Sequence, residues 1–166
     1  MTRLEKVTHD LQIAHKYTDM LIETIPQDRW LEQPKQGITH TAWQVAHLAY
    51  AEYALIQIRV FGKNKSDESI LTQEFRKQYG KGSTPDPNPE HNLTPAEILS
   101  ACTTVFENSL SGLNTLPTHE LDAPSLPEHP MFSTKFGAID WCVHHTYIHA
   151  GQIALLRRLL GLEPLR

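Results

Sequence analysis

Near the C-terminus the stretch "WCVHHTYIHAGQIALLRRLLG", Trp141 to Gly161, places three histidines within a turn and a half of apolar, helix-forming sequence. His145 and His149 are four apart, so on a helix they lie about 40° apart around the axis and ~6 Å along it, within reach of one ion. His144 is rotated about 100° away and reads as a rim residue. The His145 and His149 face also carries Ala138, Trp141, Ile148, Gln152 and Leu156, so both imidazoles are expected to point inward. His47, in "WQVAHLAYAEY", sits on a similar face with Trp43, Tyr50, Ala51 and Ala54. Three inward histidines from two helices form a candidate metal triad: buried imidazoles need donors, acceptors or a cation to offset lost hydration.

Spacing alone recurs by chance in a chain with ten histidines, so each has a structural reading beside the chemical one. His9, His15, His40, His91, His119 and His129 fall at expected surface or loop positions and read as solvated. Gln152, one turn beyond His149, could hold a ligating histidine's free N–H or a ligand of the metal, or serve packing near a helix end. Glu52 and Tyr53 could border the cavity, Glu52 being read as solvated or salt-bridged. Asp140 reads as structural.

Four long helices must position these groups. The first runs from about residue 3 to 25, with Leu4, Val7, Leu11, Ala14, Thr18, Leu21 and Ile25 at 3-4 spacing before Pro26. The second starts near Thr39 and ends before Gly62, a glycine placed to cap its C-terminus. The third opens on "TPAE", where Thr94 caps, Pro95 is the first helical residue and Glu97 closes a capping box. The fourth runs from Ser133 or Thr134 to Leu160, with Arg157 and Arg158 in its last turn and Gly161 as the stop. No strand is expected. The link of about thirty residues after the second helix, with a short helix over 71–78, is long enough to leave helices two and three parallel.

The whole chain of 166 residues reads as one all-α domain. A 40% hydrophobic fraction and net charge of −4 give no basic excess for binding DNA or RNA. No apolar run reaches the ~20 residues that span a bilayer, and the charged start "MTRLEKVTHDLQ" is unlike a signal peptide. A cytoplasmic protein without membrane or nucleic-acid partners is expected. Cys102 and Cys142 lack a CxxC or zinc-knuckle partner and read as reduced structural thiols.

"WQVAHLAYAEY", "HHTYIHAGQIALLRRLLG" and the turn "DRWLEQPKQGITHTAWQVAH" resemble the DinB-like superfamily. Its signature is a helix-two histidine in an apolar-His-Leu context and a later His-xxx-His-x-Gly-Gln-Ile segment followed by Leu-Arg. The resemblance spans essentially the whole chain. It implies a four-helix bundle of up-down-down-up order with a long crossover between helices two and three. It also implies homodimers, and a divalent metal on His47, His145 and His149, the residues that the helix geometry selects independently. Zinc comes first by ligand type, while nickel and iron also suit imidazole. Three neutral imidazoles leave such an ion its full charge and an open position, where water or a thiol is acidified. "HTYIH" lacks the glutamate of HExxH, so peptidase activity is rejected. Relatives that use low-molecular-weight thiols imply a thiol-dependent transferase, or a related hydrolase or isomerase, acting on a small molecule. The alternative is a non-catalytic metal-binding or stress-response bundle.

Overall fold

The computed structural model describes residues 1–62 and 71–165. It is mostly helical, with helices α1 (Arg3–Ile22), α2 (Thr41–Glu52), α3 (Gln73–Tyr79), α4 (Pro95–Thr115) and α5 (Lys135–Leu159) and one two-stranded sheet. Local chemistry sets the helix starts. Thr2 and Thr94 each accept from the N3 backbone while Glu5 and Glu97 return to the cap N–H, giving two complete capping boxes. Thr72 and Thr134 cap α3 and α5 through their side chains.

The stripe expected on α1 is the buried one: Val7, Leu11, Ala14, Thr18, Leu21 and Ile25 are all shielded, and Leu4 is half-buried. Trp30 is also enclosed, its indole N–H donating to the Ile25 carbonyl at 3.2 Å. Each fully buried Val, Leu or Ile of this stripe contributes about 1.5–3 kcal/mol relative to exposure. α2 ends in regular α geometry at Glu52, five residues after its histidine, and the chain continues as a π-helical segment over Tyr53–Ile58 before Gly62 turns at φ +85°. Periodicity predicted one continuous helix here, because a widened turn leaves the apolar composition unchanged.

α1 packs on α5, and α2 packs on both α4 and α5. Contacts on α2 and α4 advance together: Cys102 Sγ lies 3.5 Å from the Val45 carbonyl, Gln57 donates to Val105, and Phe61 packs against Gly112. Between α2 and α5 they run oppositely, Gln44 meeting Gln152 and His47 meeting His145. The first part of the predicted link, residues 63–70, lies outside the described residues. The short helix expected at 71–78 is α3.

The sheet corrects the expectation of no strand. β1 (Pro124–His129) pairs antiparallel with β2 (Phe132–Thr134), with an irregularity between the Pro124 and His129 pairs. Pro124, Pro127 and Pro130 hide this hairpin from sequence reading, since proline cannot donate to a ladder. None of the described helices is long and apolar enough to cross a membrane.

Candidate metal centre

The most deeply buried apolar stripe of α2 is Ala42, Val45, Ala46 and Ala49, continued by Tyr53 at the start of the π-helical segment, and that of α5 is Ala138, Ile139, Cys142, Ala150 and Ile153. The histidines lie beside these stripes, in the seam between the two helices. His47 and His149 are each 7% exposed and His145 is half-buried. Ile148, expected on the inward face, points outward at 49% exposure.

The triad assembles closely. One ligand atom from each of His47, His145 and His149 lies within 4.8 Å of the others. The ring centroids are 5.5 Å apart for His47 and His145, 4.8 Å for His47 and His149, and 4.5 Å for His145 and His149. A tetrahedral ion with bonds of about 2.0–2.1 Å sets its nitrogens about 3.4 Å apart, so modest side-chain rotation closes the site.

Hydrogen bonds choose which nitrogen faces inward. His47 Nδ1 lies 2.7 Å from the Tyr79 carbonyl, and His149 Nδ1 lies 2.5 Å from Gln44 Oε1. Both partners are acceptors, so each Nδ1 carries the proton and each Nε2 keeps its lone pair, the tautomer a metal ligand needs. The amide of Gln44 then donates to Gln152 Oε1 at 2.8 Å. Gln152 therefore bonds to Gln44, the residue that holds His149.

The His47 ring is also fixed by stacking on Trp43, with centroids 4.6 Å apart and planes within 8°. Trp43 is tied through its indole N–H to Ser83 Oγ. The Tyr79 carbonyl reaches His47 because Gly80, next in the chain, packs against Tyr50. A β-carbon at Gly80 would sit 2.2 Å from the Arg76 carbonyl oxygen and 3.3 Å from the Tyr50 ring. Only glycine lets the end of α3 approach α2 this closely.

The electrostatics keep the imidazoles neutral. Burial, reinforced by His47, pushes His145 down to about 4. Burial with His145 and His47 pushes His149 down to about 3. Burial also lowers His47, against the favourable Tyr79 carbonyl. Three neutral donors turned toward one point repel protons and suit a soft or borderline divalent cation.

Sequence reasoning missed Gln44 and the Tyr79 carbonyl. Gln44 is one turn before His47, but its partner His149 is 105 residues away, and a backbone acceptor has no side-chain signature. Two histidines read as solvated are not. His40 is fully buried and caps α2, with Nδ1 accepting from the Trp43 N–H and Nε2 donating to the Asp86 carbonyl. His15 stacks on Phe106 and its Nε2 lies 2.5 Å from Oε2 of the buried Glu52, so Glu52 is hydrogen-bonded inside the fold rather than solvated. His144 stays at the exposed rim, its Nδ1 2.8 Å from the Asp140 carbonyl.

Replacing Gln44 by leucine is expected to weaken metal binding by about 10–100-fold while leaving the ligands in place, because His149 loses the acceptor that sets its tautomer. Competition titration against a colorimetric chelator measures this, and unchanged affinity would deny Gln44 that role.

Fold and site together define a predominantly helical protein with a three-histidine centre able to hold a metal ion. A family model described as the DinB superfamily matches residues 10–153, and the chain belongs to that superfamily. A search of curated proteins finds no match.

Proposed function

We propose that this protein is a metal-dependent enzyme in which His47, His145 and His149 hold one divalent ion through Nε2. The supporting observation is that His47 and His149 have Nδ1–H groups bound to acceptors, Tyr79 and Gln44, so that their free nitrogens face the same small space as His145. Zinc is the first choice by ligand type, with nickel and iron also suited. An ion so held keeps its full charge on neutral ligands and acidifies a thiol or water that meets it.

The chain's own residues orient and shield. Trp43 and the Tyr79 carbonyl fix the His47 ring, Gln44 and Gln152 fix His149, and burial keeps all three imidazoles unprotonated. The reaction proposed is transfer to or from a low-molecular-weight thiol on a small-molecule substrate, or a related hydrolysis or isomerisation. The triad group contains no carboxylate, which is the feature that favours the alternative, a non-catalytic metal-binding protein.

The scaffold proposed is a single domain, a four-helix bundle of up-down-down-up order, in keeping with the contacts that advance together on α2 and α4 and oppose on α2 and α5. A cytoplasmic homodimer completes the reading. It draws on two neighbouring apolar stripes, Ile13, Tyr17 and Met20 on α1 and Ile148, Leu155 and Leu159 on α5, each 42–49% exposed. The contact of Tyr17 with Tyr147 brings them side by side.

The test begins with elemental analysis of tag-free protein purified without chelator, followed by thiol-transfer assays on metal-loaded and chelator-stripped protein. About one equivalent of metal and turnover restored by reloading are expected. Metal binding without any thiol-dependent turnover would favour the non-catalytic alternative, and failure to bind zinc, nickel or iron would remove both.

A further inference from the structure

His40, Trp43 and His47 on α2 meet one neighbouring segment in regular antiparallel order. His40 Nε2 donates to the Asp86 carbonyl at 3.0 Å, the Trp43 indole N–H donates to Ser83 Oγ at 2.9 Å, and His47 Nδ1 donates to the Tyr79 carbonyl at 2.7 Å. Steps of three and four residues along α2 are matched, in reverse, by steps of three and four along residues 79–86. Seven helical residues rise about 10 Å, whereas seven extended ones would span about 24 Å. A turn takes up the difference: the Ser83 N–H and hydroxyl both donate to the Gly80 carbonyl, and Gly82 sits at φ +86°. Residues 79–86 therefore form a strap laid along the first two turns of α2.

Polar rungs, rather than burial, fasten this strap. Beyond Gly80 its exposed positions are Lys81, Gly82, Thr84 and Asp86, and Pro85 is its only apolar side chain. Such a segment opens locally at far lower cost than the helices unfold. The rungs also converge on a metal ligand: the first is made by the cap of α2, the second holds the indole on which His47 stacks, and the third holds His47 itself. Coordination at Nε2 draws electron density from the imidazole. The Nδ1–H becomes a stronger donor to Tyr79, and the ring a better partner for the face of Trp43. A bound ion and a closed strap thus favour each other, and coupling of this kind is reciprocal.

We propose that residues 79–86 are a strap linked to the metal centre, whose closure on α2 raises metal affinity and which a bound ion in turn holds closed. This inference rests on the metal reading above and adds a means of regulating that site. His40, Trp43 and Ser83 are its positioning residues, acting on the ion only through His47.

Trypsin reads the strap at the exposed Lys81–Gly82 bond, between the Tyr79 and Ser83 rungs. Exposed Lys16, in the middle of α1, is the internal reference, because cleavage there requires the helix to unfold. In the parent protein zinc is expected to slow cleavage after Lys81 by about tenfold, beyond any slowing after Lys16. Ser83→Ala removes the middle rung, and His40→Asn keeps a residue type that caps α2 while shortening the side chain that reaches Asp86. Each variant is expected to bind one equivalent of zinc about tenfold more weakly than the parent, and to be cut faster after Lys81 when metal-free. Parent-like zinc affinity in both variants would overturn the link and leave the metal centre standing. So would a Lys81 rate that zinc leaves unchanged or slows only in step with Lys16. Parent protein that takes up no zinc, nickel or iron would overturn both ideas, while the metal-free cutting rates still report whether the rungs fasten the strap.

Discussion

Replacing His149 by alanine is expected to abolish stoichiometric metal binding while leaving the helical circular-dichroism signal nearly unchanged. The triad offers three neutral nitrogens and no carboxylate, so removing one leaves two weak donors and an affinity lower by well over about a hundredfold, beyond the effect of an outer hydrogen bond. Helix α5 has other sources of stability, since Ala138, Ile139, Cys142, Ala150 and Ile153 hold its buried stripe and Thr134 caps its start. The cost to stability is that of a side chain in a seam rather than at the core's centre, together with a Gln44 oxygen left without its donor. Metal content by elemental analysis and secondary structure by circular dichroism check both halves, and a variant that retains metal at parent level would show that the triad does not hold the ion.

The second large effect concerns acid. In the metal-free protein, burial first and neighbouring imidazoles second hold His145 at about 4 and His149 at about 3, below the ordinary 6.5. An unfolded chain therefore binds more protons than the folded one between about pH 6.5 and pH 3–4, so stability is full above that window and falls as pH drops through it. Between pH 7 and pH 5 a single such imidazole contributes a loss of about 1–2 kcal/mol after allowance for partial solvent screening. Urea titrations of metal-free protein at pH 7, 6 and 5 should show a falling midpoint with little change in slope. The His145→Gln, His149→Gln variant should show a flatter response over the same range. Parallel pH responses for parent and variant would place the acid-sensitive groups elsewhere, with His40 the next candidate because burial lowers it too.

The parts of the molecule legible in sequence are those set by local chemistry. Thr94, Pro95 and Glu97 announce α4 through a capping box complete within four residues. The 3-4 spacing on α1 names its buried face almost residue for residue, because a helix in contact with a core must place apolar groups every turn. The pair His145 and His149 could be recognised for the same reason, since four residues bring two side chains to one face.

Long-range contacts escaped that kind of reading. His40 and His15 look like solvated histidines until Asp86, Glu52 and Phe106 arrive from 46, 37 and 91 residues away to bury and bond them. The proline-rich hairpin gives no alternating pattern, and the π-helical widening after Glu52 leaves composition untouched. Gln44 carries no chemical signature of its own.

By itself, then, the sequence determined the long helices, most of their apolar faces and the residue types able to grip a cation, since each depends on neighbours within a few positions. Only the tertiary structure decided that the imidazoles share a seam between α2 and α5, and which nitrogen of His47 and His149 stays free. Those outcomes depend on where one helix lies against another, and on acceptors such as the Tyr79 carbonyl that every residue possesses and only folding can aim.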